Sequence, residues 1–355
     1  MSNEFQATES VQQRHAFDHD RLAQYLSQHV EGFPGGLTIE QFKGGQSNPT
    51  YLLKAGDARY VLRRKPPGKL LPSAHAVDRE YRIMTALRDT EVPVARTYCL
   101  CEDDSVIGSA FYVMEFVEGR VLWDPALPGM SRSERAEIYA EMNRVIAALH
   151  VVDYEAVGLG TFGKPGDYFQ RQIARWTKQY RASESETIES MNKLIEWLPE
   201  HIPSGEEVSI VHGDFRLDNL IFHPTEPRVV AVLDWELSTL GHPLADFAYH
   251  MMAWRLKPSE FRALLGCDLA ALGIPSEEEY QQEYCRRTGR EVIDADHWDF
   301  YMAYNMFRLA AILQGIMGRV LDGTAASQNG IESGKQARPI ADAAWRQVER
   351  LQARH

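Results

Sequence analysis

The spacing of hydrophobic positions changes near Gly119. Before it, short apolar and β-branched runs recur at Leu37 to Phe42, Thr50 to Leu53, Tyr60 to Arg63, Val94 to Cys101 and Phe111 to Phe116. Turn residues such as Gly44-Gly45 and Ala55-Gly56-Asp57 separate them. Runs of that length with that punctuation predict the strands of a small antiparallel sheet. One helix interrupts the strands, beginning after Pro72 and running to about Arg88, because Val77, Tyr81, Met84 and Arg88 share a helical face. Beyond Gly119 the period becomes helical. Ser131-Arg132-Ser133-Glu134 has the form of a capping box, and Ile138, Met142, Val145, Ile146 and Leu149 make the apolar stripe behind it. One more β unit lies among the helices, Leu220 to Phe222 and Val229 to Leu233, joined by the turn-rich segment His223 to Arg228. Gly334 to His355 reads as a closing polar helix.

The pattern thus divides the chain into a β-rich part, residues 1–117, and a mainly helical part, residues 118–355. Length supports two parts, since 355 residues exceed the roughly 250–300 at which single hydrophobic cores stop growing. With 44% hydrophobic residues the chain can fill a large interior. A net charge of −12 lacks the basic footprint of a nucleic-acid binder, so no nucleic-acid partner is expected. Cys99, Cys101, Cys267 and Cys285 are too few and too scattered for a disulfide framework, which makes a reducing cytoplasm the default; Cys99 and Cys101 read as an ordinary strand pair. The first ten residues have no basic and apolar leader, and no run reaches about 18 apolar residues, so a soluble, cytoplasmic chain without a membrane partner is expected.

Chemistry concentrates in Val211 to Asn219, V-H-G-D-F-R-L-D-N, and in Val232 to Glu236, V-L-D-W-E. The first has the spacing H-x-D-x-x-x-x-N, in which Asp214 accepts a hydroxyl proton and Asn219 reaches a metal ion; the second offers Asp234 as a further carboxylate for Mg²⁺. Asn219 leads into one strand of the β unit and Asp234 follows the other, so a hairpin brings the two together. Two oxygen ligands suit Mg²⁺, which keeps waters and phosphates as its remaining ligands. Arg216 neutralises phosphate charge or faces solvent, and His212 holds the loop through a backbone hydrogen bond. Glu236 reaches a second ion or faces water.

These motifs, with F-K-G-G-Q-S-N-P-T-Y-L-L at Phe42 to Leu53 and the segment Tyr60 to Tyr81, resemble the aminoglycoside phosphotransferase and choline kinase superfamily. Within it, the chain is similar to the kinase-like domain that precedes some animal acyl-CoA dehydrogenases. The resemblance implies an α+β, bilobal protein-kinase-like fold: a small antiparallel β N-lobe with one helix, residues 1–117, and a larger, mainly helical C-lobe, residues 118–355, carrying the catalytic loop, the metal site and the acceptor-binding helices. It implies ATP and Mg²⁺ as cofactors, with the nucleotide between the lobes. Gly45, Ser47 and Asn48 then lie in the loop over the phosphates, Arg63 clamps the α- and β-phosphates and pairs with Glu80, and Glu115 and Val117 form the hinge against adenine. Arg64 and Lys65 remain alternatives to Arg63. Asp246 matches the family's Asp that braces the catalytic loop.

The short interval from Asp234 to Asp246 contains no platform for a protein substrate, which favours a small acceptor. The likeness suggests a hydroxyacid or its acyl-CoA thioester. An aminoglycoside or amino alcohol is the alternative, with the acidic stretch Glu277 to Glu279, Glu283, Glu291, Asp294 and Asp296 as its seat; a nucleotide-binding pseudokinase is another. Tyr168 to Arg171, Trp254 and Tyr304 to Arg308 are candidate walls of the acceptor site or parts of the core.

Overall fold

A computed structural model describes residues 7–12, 16–43, 48–66, 76–322 and 328–355. The chain forms two compact units: residues 1–122 with 154–162 and 217–238, and residues 123–153 with 163–216 and 239–355.

The first unit is built on strands β1 (Thr8–Glu9), β2 (Leu37–Phe42), β3 (Thr50–Ala55), β4 (Ala58–Arg64), β5 (Thr97–Cys101) and β6 (Phe111–Glu115). They form an antiparallel sheet in the order β1-β2-β3-β4-β6-β5. Strands β3 and β4 are joined through Gly56 at φ 56°, a left-handed conformation that glycine adopts without steric cost. Helix α2 (Val77–Leu87) is the one expected, but its inner face is Val77, Glu80, Ile83, Met84 and Leu87 rather than one through Tyr81 and Arg88. Glu80 lies on that inner face, three residues after Val77 and four before Met84, as its spacing places it. Two more helices belong to this unit, α1 (His19–His29) and the single turn α3 (Asp104–Ile107). The Asp18 side chain caps α1 by accepting from the amides of Asp20 and Arg21, while Leu22 and Leu26 enter the core with Tyr51, Leu53, Leu62 and Phe111. Two leucines four apart are a thin signal, which is why α1 does not stand out in the hydrophobic pattern.

Strand β7 (Arg120–Val121) pairs with Leu220–Phe222, which pairs in turn with Val229–Val232. That pairing draws the later hairpin into the first unit, helped by the Val232 amide donating to the Pro93 carbonyl at 2.9 Å. Gly119 is required beside it, because a Cβ there would collide with the Phe222 carbonyl oxygen and Ile221 Cγ2. Arg79 of α2 reaches both added segments, donating to the carbonyls of Phe162 at 2.7 Å and Ser238 at 3.2 Å. By packing, the unit therefore extends past residue 117 and takes in two later segments.

The second unit contains α4 (Arg132–His150), α5 (Tyr168–Ser183), α6 (Glu189–Trp197), α7 (Pro243–Met251), α8 (Leu269–Leu272), α9 (Glu277–Thr288), α10 (Ala295–Leu321), α11 (Gln328–Lys335) and α12 (Ala337–Gln352). The capping box of α4 forms with both of its hydrogen bonds, and its apolar stripe is buried as the spacing predicts. Helix α10 is the axis of the unit, buried nearly all round from Trp298 to Ala311 and packed against α5, α7 and α12. The closing segment is amphipathic rather than polar: Ala337, Ile340, Ala341, Ala344 and Val348 are buried, and the alanines permit close approach to α10. A short two-stranded pairing, Ser209–Val211 with Thr239–Gly241, sets the segment that begins at His212 beside the start of α7. Among the described residues, no helix is long and apolar enough to cross a membrane.

Candidate active site

In the first unit, β4 presents Arg63 to three carboxylates. Its Nε lies 3.1 Å from Glu80 Oε2, and its Nη2 lies 2.8 Å from Asp234 Oδ1 and 3.7 Å from Glu236 Oε2. Glu80 is 1% exposed, and its two oxygens accept from Asn48 Nδ2 at 3.0 Å and from the Tyr112 hydroxyl at 2.9 Å. Burial pushes the Glu80 carboxyl up to about 7, against the pull of Arg63. The two alternatives to Arg63 are engaged elsewhere. Arg64 lies over the Phe17 ring, and Lys65 faces Asp78 at 3.7 Å.

Asp234 has φ 63°, a left-handed conformation that costs a non-glycine residue about 1–2 kcal/mol and that recurs where structure over-determines a functional side chain. Trp235 anchors the turn by donating from Nε1 to the Val232 carbonyl at 3.0 Å. The Leu233 amide donates to the Asn219 carbonyl at 2.8 Å, which closes the hairpin and brings Asn219 and Asp234 to one end of it. An amide oxygen and a part-exposed carboxylate are hard donors of the kind Mg²⁺ takes. Among the described residues no group of three or more His, Cys, Asp or Glu is placed to hold a metal, so an ion here would draw its remaining ligands from phosphate and water.

The other proposed nucleotide contacts are less defined. Gly45 and Ser47 lie outside the described residues. Asn48 lies within them, and its side chain links the end of that loop to Glu80. The Glu115 amide donates to the Arg96 carbonyl at 2.8 Å, and Val117 packs against Val121, Ile221 and Ala231.

In the second unit, Ser209–Val211 delivers His212, Gly213 and Asp214. The amides of His212 and Gly213 donate to the two oxygens of Asp246 at 2.7 and 2.8 Å, and His150 Nε2 lies 3.2 Å from the same carboxylate. Burial alone would raise the Asp246 carboxyl, but His150 and the loop amides hold it below the usual carboxylate range. Gly213 has φ 83°, the conformation that turns the chain here. His212 is fully buried, and its Nδ1 accepts from the Asp214 amide at 3.2 Å. Asp214 accepts from the Tyr249 hydroxyl at 2.6 Å and pairs with Arg216 Nε at 3.1 Å. Arg308 of α10 donates from Nη2 to the Gly213 carbonyl at 2.6 Å. Tyr249 is a residue the motif reading does not contain; its signal is its position three residues after Asp246, on the same face of α7.

Most candidate walls are core. Phe169 packs among Phe300, Tyr301 and Tyr304, and Trp254 donates to the Pro275 carbonyl at 2.9 Å. Arg171 turns back to the carbonyls of Lys164 and Gly166. The acidic stretch is engaged locally: Glu277 bonds Arg255 and Trp298, Glu279 caps α9, and Glu283 pairs with Arg286 and Arg287. Glu291 and Asp294, by contrast, line a cavity together with Glu206 and Glu207.

The sequence matches the phosphotransferase enzyme family over residues 38–292. It is 50% identical over 342 residues to acyl-CoA dehydrogenase family member 10 of Mus musculus, covering 95% of this chain and 32% of that protein. The chain spans less than half the length of the curated relatives it matches. A provisionally named aminoglycoside phosphotransferase from Ralstonia eutropha has a crystal structure that superposes with a TM-score of 0.87 at 59% identity, covering 94% of this chain and 99% of that one. A thermostable mutant of aminoglycoside phosphotransferase APH(4)-Ia, solved with AMP-PNP and hygromycin B, superposes with a TM-score of 0.59 at 18% identity over 92% of this chain and 98% of that one, which shows a shared protein-kinase-like fold.

Proposed function

The chain belongs to the phosphotransferase enzyme family, and on that premise we propose that it moves the γ-phosphoryl group of ATP to a hydroxyl of a small molecule, a hydroxyacid or hydroxyacyl-CoA. The observation that carries this reading is the presentation of Asp214. Its carboxylate is fixed by Tyr249 at 2.6 Å, on a loop that Asp246 clamps through two backbone amides. A general base must be held so that proton acceptance and orientation of the attacking oxygen coincide.

Residues 1–117 then hold the nucleotide and residues 118–355 carry the transfer chemistry. Arg63, steadied by Glu80, is the clamp for the α- and β-phosphates. Asn219 and Asp234 are the Mg²⁺ ligands, and the ion when bound neutralises charge on the phosphate oxygens. Asp234 meets Arg63 at 2.8 Å in this structure, so an arriving cation exchanges one positive partner for another at the same carboxylate. Asp214 takes the hydroxyl proton as the acceptor oxygen forms its bond to γ-phosphorus; the bond from that phosphorus to the β-bridging oxygen breaks, and ADP leaves with the electron pair. Arg216 offsets charge as it develops beside Asp214.

The test is phosphate transfer from Mg·ATP across hydroxyacids, hydroxyacyl-CoAs, amino alcohols and aminoglycosides, with Asp234→Ala alongside. The reading expects transfer to hydroxyacids or their thioesters, and loss of metal-dependent ATP binding in the variant. Unchanged Mg·ATP affinity in Asp234→Ala would remove Asp234 from the metal site, and transfer to aminoglycosides alone would replace the acceptor class.

A further inference from the structure

Close to Asp214, within the same unit, lies a buried cation with no counter-charge of its own. Arg308 is 6% exposed; its guanidinium carbon stands 4.9 Å from the Tyr249 ring and 5.6 Å from the Trp176 ring, and Nη2 is committed to the Gly213 carbonyl. Among the described residues its Nε has no acceptor, and neither has the indole Nε1 of Trp176, a side chain almost as buried. Among the described residues no carboxylate is ion-paired with Arg308; the Tyr304, Tyr168 and Tyr249 hydroxyls act on it first, and the Asp214 carboxylate after them.

Bracing a loop carbonyl needs a donor, and a neutral amide side chain would supply one. A full charge withdrawn from water without a carboxylate is costly, and two buried donors lacking acceptors add to that cost. The missing partner has oxygen atoms and negative charge. Arg216, 3.1 Å from Asp214, adds a second cation to the surroundings of the base, so a cationic acceptor would meet repulsion where an anionic one is drawn in.

We infer that Arg308 and Trp176 form a seat for a carboxylate of the acceptor, so that the substrate is a hydroxyacid held by its acid group while its hydroxyl is offered to Asp214. The inference rests on the reading of Asp214 as the base of a kinase. A planar guanidinium is suited to a carboxylate, and the indole supplies a neutral donor beside it. A free acid carries this chemistry in full. A thioester presents a carbonyl oxygen without the charge.

The test uses the full chain and hydroxybutyrates bearing the hydroxyl at each available carbon, each set against its own amide, with binding read by calorimetry and transfer read from Mg·ATP. The acids bind at least about tenfold more tightly than the amides, in line with a hydrogen bond to a charged group. Trp176→Phe keeps the aromatic ring and removes the donor, and narrows the acid-to-amide ratio roughly tenfold; Arg308→Gln abolishes the preference. Equal binding of acid and amide, no binding of any acid, or a ratio untouched in both variants overturns the seat, even where transfer to other hydroxyls proceeds and the kinase reading holds. A preference for acids that both variants weaken, with no phosphate transferred to any of them, upholds the seat and removes the kinase reading instead.

Discussion

Glu80 and Asp246 are both buried carboxyls, and their surroundings drive them in opposite directions. Around Glu80, burial, joined by the nearby Asp234 and Glu236 carboxylates, outweighs Arg63 and Tyr112 and pushes the group up from the ordinary 4.5 to about 7. The native state then binds more protons than the unfolded chain between those two values, so stability falls as pH rises across that window. Glu80→Gln removes this decline. From pH 5 to pH 7, its unfolding free energy should rise by about 2 kcal/mol relative to the parent, as read from urea titrations at each pH; a constant difference would mean that Glu80 is ionised throughout. Asp246 is the reverse case. Its carboxyl lies below the usual range, so its contribution is present above the unfolded value and is lost as pH falls through the folded one. Asp246→Asn should cost about 1.5–3 kcal/mol at pH 7, because two amides and His150 lose a charged acceptor, and the deficit should shrink in acid. A deficit that stays the same down to acid pH would show that the charge on Asp246 contributes nothing.

Elements were legible in proportion to how far their own pattern determines them. The capping box and long apolar stripe of α4 state a helix outright, and β3 and β4 declare themselves by β-branched and aromatic residues around Gly56. Helix α1 buries only Leu22 and Leu26 fully, with Tyr25 packed beside them, and depends on packing against the sheet, so periodicity does not reveal it. The inner face of α2 includes Glu80, a charged residue among apolar ones, which weakens the apolar pattern. The partners of α12 lie on α10, dozens of residues away, and its buried alanines read as neutral in sequence. Close approach at Gly119 makes a prediction at this scale. Gly119→Ala forces a methyl against the Phe222 carbonyl in the sheet that leads to Asp234, and should cost about 1–3 kcal/mol of stability. Nucleotide affinity measured on the folded variant should also weaken; a variant as stable as the parent would mean that the β7 contact yields freely.

Across the whole molecule, the chemistry is written in one short stretch of chain, while the fold divides it. Residues up to Arg216 belong to the second unit, and those from Leu217 to Ser238 belong to the first. The loop from His212 to Asn219 stands out in the sequence because its side chains and their spacing are local. Tyr249 and Trp176 do not, and Arg308 does only as one of several candidate walls, since they lie on helices far apart in sequence and are individually indistinguishable from core residues. The acceptor is hidden from the sequence for the same reason: what surrounds Asp214 is a product of packing. The central claim is that Asp214 is the general base, and Asp214→Asn isolates it, because the amide keeps the size and the Tyr249 contact while losing the proton acceptor. Mg·ATP affinity and acceptor phosphorylation are measured on parent and variant with the same acceptor. The account predicts nearly unchanged nucleotide binding and transfer slower by about 10²–10⁴-fold; transfer at the parental rate would contradict it.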